Sequence, residues 1–337
     1  MQSQLHMLRA LSLSWLGLWV YGYQPCLAQS AEDQIQDATL ARVDGGQKKD
    51  PWAVSALSLT NTVSTLSFDR NAEPFYNPTD VITLSGQLRY TLTQDFCLGV
   101  GAGLSRELTT PDARTHVDDV WFTDTTITAC LLRRQISMVG LTLAIDTAAH
   151  LPTSPLSKAA SLRMGGEVRI AIQKRLNVPW KPSLSYRFSG RANAHEFTTR
   201  QQDAPSIAAC EGLTCAELSH TGVRNAWAQQ SHGLVIGSRP TSWLSISASG
   251  AVLMSHLYDL TPVDGPVRQA DSDVETRYAM SYSIAASVQI QPGLSSRLSL
   301  NTFNPQQSPD SSYYTPFFNR FSQVSLGLTM NPSTWFQ

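Results

Sequence analysis

The stretch ETRYAMSYSIAASVQI, residues 275–290, decides how this sequence is read. Tyr278, Met280, Tyr282, Ile284, Ala286, Val288 and Ile290 share one parity, and Glu275, Arg277, Ser281, Ser283, Ser287 and Gln289 share the other. A helix would bring its apolar side chains round every 3.6 residues; a period of two is an extended strand with one apolar and one polar face.

The same alternation recurs outward in both directions. Ile82, Leu84, Leu88, Tyr90 and Leu92 oppose Thr83, Ser85, Gln87, Arg89 and Thr91, and Phe96, Leu98, Val100, Ala102 and Leu104 oppose Cys97, Gly99, Gly101 and Gly103. Leu162, Met164, Val168, Ile170 and Ile172 oppose Arg163, Glu167, Arg169 and Gln173. Such segments predict about twelve strands. They fall near 52–61, 80–92, 96–106, 119–132, 136–148, 160–174, 182–195, 224–237, 243–256, 274–290, 294–303 and 321–331. Every second connection is a short turn (TQD, RRQ, RLNVPWK, SRPTS, QPG), and those between are long loops. Turns gathered at one end and loops at the other describe a membrane-spanning barrel, with periplasmic turns and extracellular loops. A soluble sandwich has no cause to sort its connections this way.

Composition agrees. Charged residues make up only 15% of the chain, the mean hydropathy is -0.16 and the net charge is -1, so the polarity comes from uncharged side chains. Disorder through high charge is excluded, and so is nucleic-acid binding through a basic surface at a pI near 6.6. Trp52, Trp121, Trp180, Trp227, Trp243 and Trp335 all fall at strand ends or in turns, never in a strand middle. This predicts two aromatic girdles at headgroup depth, with Trp52, Trp180, Trp243 and Trp335 at the periplasmic rim and Trp121 and Trp227 at the outer one.

The N-terminus carries an export address. A polar start with Arg9, an apolar stretch over Ala10–Tyr23, and Cys26-Leu27-Ala28 before Gln29 follow the grammar of a signal peptide cleaved after Ala28. Residues 29–51 are polar and predict a short periplasmic segment, and residues 52–337 the barrel. Of the other cysteines, Cys97, Cys130, Cys210 and Cys215, an even number in an exported chain predicts two disulfides. Cys210 and Cys215 lie within one long loop. Cys97 and Cys130 both take the inward parity of neighbouring strands. A hairpin opposing them is centred between residues 113 and 114, within about one residue of the middle of the 107–118 loop.

The C-terminal run Ser325-Leu326-Gly327-Leu328-Thr329-Met330 is similar to the targeting signal of bacterial outer-membrane β-barrel proteins: a polar residue, a glycine, then alternating apolar positions towards an aromatic end. The chain departs from that pattern at Pro332 and in ending Trp335-Phe336-Gln337. The resemblance implies an all-β, closed antiparallel transmembrane barrel in the bacterial outer membrane. Its partners are membrane lipid and, during insertion, the barrel-assembly machinery.

With apolar parity facing lipid, the polar parity faces the lumen. The expected lumen set is Arg89, Arg163, Arg169, Arg187, Arg191, Arg277 and Arg297 with Asp124, Asp146, Glu167 and Glu275, an excess of positive charge. Only Lys48, Lys49, Lys158, Lys174 and Lys181 among the 25 basic residues are lysines, so the guanidinium is the cation in play. An Arg-rich wall fits a constriction favouring anions; it equally fits a paired network that plugs the lumen. The expected function is a narrow passive pore for small polar or anionic solutes. The alternative is a non-conducting structural or docking barrel of an envelope complex. A third reading, uptake of apolar compounds, rests on the aromatic loop Tyr313–Phe321. A phospholipase or protease is not expected: the candidate groups are Ser231-His232, His195-Glu196 and Asp146 with His150, and Ser231 and His232 are sequence neighbours, which a strand turns to opposite faces. No cofactor or metal is expected. Asp264, Asp271, Asp273 and Glu275 follow no calcium-loop spacing and read as a solvated acidic loop.

Overall fold

The computed structural model describes Trp52 and residues 55–65, 79–93, 95–109, 120–136, 138–203, 210–211, 214–215, 218–259, 274–305, 307 and 311–332. The signal segment, residues 29–51 and Trp335 lie outside them.

The staves of the barrel are β1 (Ala56–Ser64), β2 (Asp80–Thr91), β3 (Cys97–Glu107), β4 (Val120–Phe122) continued by β5 (Thr125–Ile136), β6 (Leu141–Leu151), β7 (Leu162–Arg175) and β8 (Ser183–His195). The long loop after β8 holds its own ladders, β9 (Thr199–Asp203) with β12 (Leu218–Arg224) and β10 (Cys210–Glu211) with β11 (Thr214–Cys215). The wall resumes with β13 (Ala226–Ser238), β14 (Leu244–Leu257), β15 (Thr276–Gln291), β16 (Leu294–Pro305) and β17 (Ser322–Met330). Each stave pairs antiparallel with its neighbours, and β1 pairs with both β2 and β17. With β4 and β5 counted as one stave, this is a closed barrel of twelve strands with no free edge, the state in which every backbone group is satisfied without water.

Burial is inverted relative to a soluble protein. Ser58, Thr62, Gln87, Arg89, Thr128 and Ser185 are buried on the inner face, while Leu88, Leu184, Leu234, Ile236, Leu298 and Leu326 are more than half exposed on the outer one. The alternation along each strand forms the two sides of a wall.

One hairpin differs from the sequence expectation. The β5–β6 turn is not at Arg133–Gln135 but at the following residues, closing on Gly140 at φ +63°. A bulge between Cys130 and Leu132 puts one extra residue into β5. This flips the parity, so that Leu131 and Leu132 break the alternation while the strand continues. Arg133 thereby stands opposite the buried Ala144 on the inner face.

At the long-loop end, hydrogen bonds tie separate connections together. Buried Arg224 donates from Nε to Tyr258 O and from an amino group to Val274 O, both at 2.7 Å. Asn225 Nδ2 donates to Ala160 O and Phe197 O, both at 2.9 Å. A short helix, α1 (Pro155–Ala159), is capped by Ser154, whose own N–H donates to Asp124. Asp124, expected in the lumen, is instead this cap's anchor, and Glu275 is exposed ahead of β15.

Candidate functional site: the charged inner wall

The inner faces of β5 to β8 carry a continuous set of ionisable side chains. Arg169 clamps Glu167 with two bonds, Nε to Oε1 at 2.9 Å and an amino nitrogen to Oε2 at 2.7 Å. A bidentate pair of this kind is among the stronger side-chain contacts. His150 Nε2 lies 2.7 Å from the same Oε2. Across the ladder, Asp146 is the register partner of Arg169 and lies 3.6 Å from Arg133. Arg133 also approaches Cys130 Sγ at 3.5 Å, and Cys130 is joined to Cys97 by a disulfide with Cα atoms 4.8 Å apart. Arg191 stands opposite Glu167 and donates from Nε to Asn193 Oδ1 at 2.7 Å.

Other arginines are spread around the ring, and glycine makes room for them. Arg89 is opposite Gly99, Arg187 opposite Gly233, and Arg297 opposite Gly327. A glycine leaves the wall bare beside a long guanidinium. Arg277 is buried on the same face, opposite Ser255.

The opposite arc of the wall mixes arginines with hydroxyls. Across β14 to β17 and on to β2, the inner face presents Ser247, Ser249, Ser283, Ser299, Thr60 and Ser85 alongside Arg277, Arg297 and Arg89. These hydroxyls are short. An eight-stranded barrel is filled by its side chains and wider ones hold cavities.

Most of the expected lumen residues therefore share one inner face: Arg89, Glu167, Arg169, Arg187, Arg191, Arg277 and Arg297. Arg163 does not. It sits in the bulge between Leu162 and Met164 at the long-loop rim, its side chain 68% exposed and paired with Glu196 at 2.9 Å. Arg133 was missed because the bulge hid its parity, and His150, weighed in the sequence with Asp146, meets Glu167 instead.

Among the tryptophans, Trp52, Trp180 and Trp243 lie exposed at the short-turn end, and Trp227 lies exposed at the start of β13. Trp121 is corrected: it pairs with Ser105 on the inner face, and Phe122 takes the outer position, 63% exposed. Cys210 and Cys215 are opposite one another in the backbone register. Ser231 lies on the inner face, while His232 points outward to the Tyr186 hydroxyl at 2.8 Å.

No protein-family model and no curated protein sequence matches the chain. Solved structures do. An outer membrane channel from Pseudomonas putida F1 superposes with a TM-score of 0.52 at 14% identity, covering 86% of this chain and 99% of that one. The fold is that of the bacterial outer-membrane β-barrels. The NanC porin follows with a TM-score of 0.44 at 6% identity over 82% of this chain and 98% of its own. The translocator domain of the autotransporter NalP from Neisseria meningitidis gives 0.38 at 9% identity over 90% and 95%.

Proposed function

We propose that this chain is a passive outer-membrane pore for small polar solutes, with a preference for anions. The supporting observation is the charge of the inner face. Arg89, Arg133, Arg169, Arg187, Arg191, Arg277 and Arg297 stand against Glu107, Asp146 and Glu167 among the described residues. Rings of arginine favour anions, and fixed charge in a confined low-dielectric wall acts more strongly than in bulk water. In this reading the β5–β8 arc sets the selectivity and the hydroxyl arc lines the open path. The exposed tryptophans act as girdles in the headgroups. The precursor is exported with cleavage after Ala28 and inserted by the barrel-assembly machinery.

Planar-bilayer recording across a salt gradient tests this. Stable conductance with a reversal potential on the anion side is expected. Arg187→Glu combined with Arg191→Glu should lower or reverse that preference. Absence of conductance from a heat-modifiable, folded barrel would sink the pore and leave the structural barrel as the better reading.

A further inference from the structure

Three outward positions near the long-loop end of β16 and β17 are polar and buried. Leu298 and Leu326 are partners in the β16–β17 ladder, each more than half exposed on the outer face. The ladder runs from there to Thr302 and Ser322 without a bulge, so those two share the outer parity, and Asn304 continues it along β16. Yet Thr302, Asn304 and Ser322 are only 3%, 2% and 0% exposed. Burial on the outer side of a barrel wall requires a cover.

The cover is the aromatic loop before β17. Ser322 Oγ accepts from the Asn319 N–H at 2.9 Å and donates to Phe317 O at 2.9 Å. Asn319 Nδ2 donates to Thr315 O at 2.7 Å and reaches Asn304 Oδ1 at 3.5 Å. The Phe317 ring meets that of Tyr282, the register partner of Thr302, edge to face at 5.7 Å. The turn at residues 315–319 is therefore bound to the outside of the wall.

Its height follows from strand length. Counted from Leu294 at the short-turn end, Thr302 is the ninth residue of β16 and Asn304 the eleventh. A tilted strand crosses the hydrocarbon in about 9–11 residues, so the covered positions lie where the outer leaflet passes from acyl chains to headgroups. Lipid against Thr302, Asn304 and Ser322 would leave them without partners. The loop supplies those partners and carries Phe318, 77% exposed, in their place. Arg320 is the one charged residue in 311–321, and a lone cation in an aromatic segment suits the boundary between acyl chains and headgroups. β1 and β17, nine residues each, are the shortest staves, so this is the side on which the wall only just reaches across.

We propose that the loop is an interfacial anchor that seats Phe318 in the outer leaflet. Lipid is the occupant because the outside of a transmembrane barrel meets lipid at this depth, and the loop has exchanged polar wall for an aromatic surface there. The inference puts Phe317 and Phe318 outside the pore and holds whether or not the barrel conducts.

Depth measurement on the full-length barrel in phospholipid vesicles tests this. A nitroxide on Phe318→Cys is read for collision with oxygen, which concentrates among acyl chains, and with a water-soluble nickel chelate present on both sides. Leu326→Cys on the outer wall and Asn177→Cys in the exposed β7–β8 turn are the two references. The label at 318 should favour oxygen as Leu326→Cys does. Ser322→Ala, which removes both hydroxyl bonds to the turn, should shift that label towards the chelate in a barrel still heat-modifiable on a gel. Phe318→Trp reads the same depth without a cysteine: it should add fluorescence that lipid brominated high on the acyl chain quenches. A label at 318 as open to the chelate as Asn177→Cys overturns the proposal, as does added emission that brominated lipid leaves untouched. An unshifted label in Ser322→Ala overturns the part given to the turn. A label shielded from both probes, the result of a protein rather than lipid on this face, overturns the proposal as well.

Discussion

His150 and Glu167 meet on the inner wall with 2.7 Å between Nε2 and Oε2, their side chains only 9% and 8% exposed. They stand on adjacent strands, and the same carboxylate is gripped from the other side by Arg169. Glu167 is thus the anion around which the local charges are arranged. Replacing it by Gln keeps the shape but removes the charge, so the bidentate ion pair with Arg169 is lost and the wall gains one positive charge. Removing one member of a buried pair is destabilising because its partner is left uncompensated. Glu167→Gln should cost about 1–3 kcal/mol, seen as a lower temperature for the heat-dependent gel shift. If ions pass this wall, the same variant should move the reversal potential further to the anion side; an unmoved potential would place the ion path away from β7.

The inward glycines of β3 make a second, sharper expectation. A Cβ at Gly99 would lie 2.7 Å from Thr128 Oγ1 and 3.1 Å from Leu88 O; one at Gly101 would lie 2.8 Å from Thr126 Oγ1. The obstruction at Gly99 includes backbone, which cannot swing away. Gly99→Val should therefore destabilise the barrel by about 1–3 kcal/mol through overpacking between β3 and β5. Gly166 faces outward with nothing within 4 Å of a built Cβ, and Gly166→Ala is the matched control. Equal heat-shift temperatures for the two variants would contradict the close approach of β3 and β5.

Legibility in the sequence tracked a single physical cause. The period of two comes from the wall itself, because each strand separates an apolar outside from a polar inside, and where the ladder is regular, as in β2, parity alone put each side chain on its face. Where the ladder is irregular, parity failed locally. The bulge in β5 displaced the next turn and hid Arg133, and the bulge at the start of β7 turned Arg163 out to the rim. Trp121 failed for the same reason: the pairing with β3 shifts by one residue between β4 and β5, which turns the indole inward. The pairing of His150 with Glu167 was invisible because it depends on the register between two strands, which no single strand specifies.

The register between β3 and β5 carries the last prediction. Cys97 and Cys130 are direct partners in that ladder, as the hairpin centred on the intervening loop requires. They form a disulfide that closes a sequence separation of 33 residues. A loop of that length loses chain entropy in the unfolded state worth about 3–4 kcal/mol on the loop-closure estimate. The effect here should be smaller than that, because a closed barrel already fixes both strands by hydrogen bonds. Mass spectrometry of the alkylated, unreduced protein should find the Cys97 peptide linked to the Cys130 peptide. Cys97→Ser with Cys130→Ser should lower the heat-shift temperature while leaving the strand content by circular dichroism unchanged. A link from Cys97 to Cys210 or Cys215 would break the register as well as the pairing, since neither lies on a strand adjacent to β3.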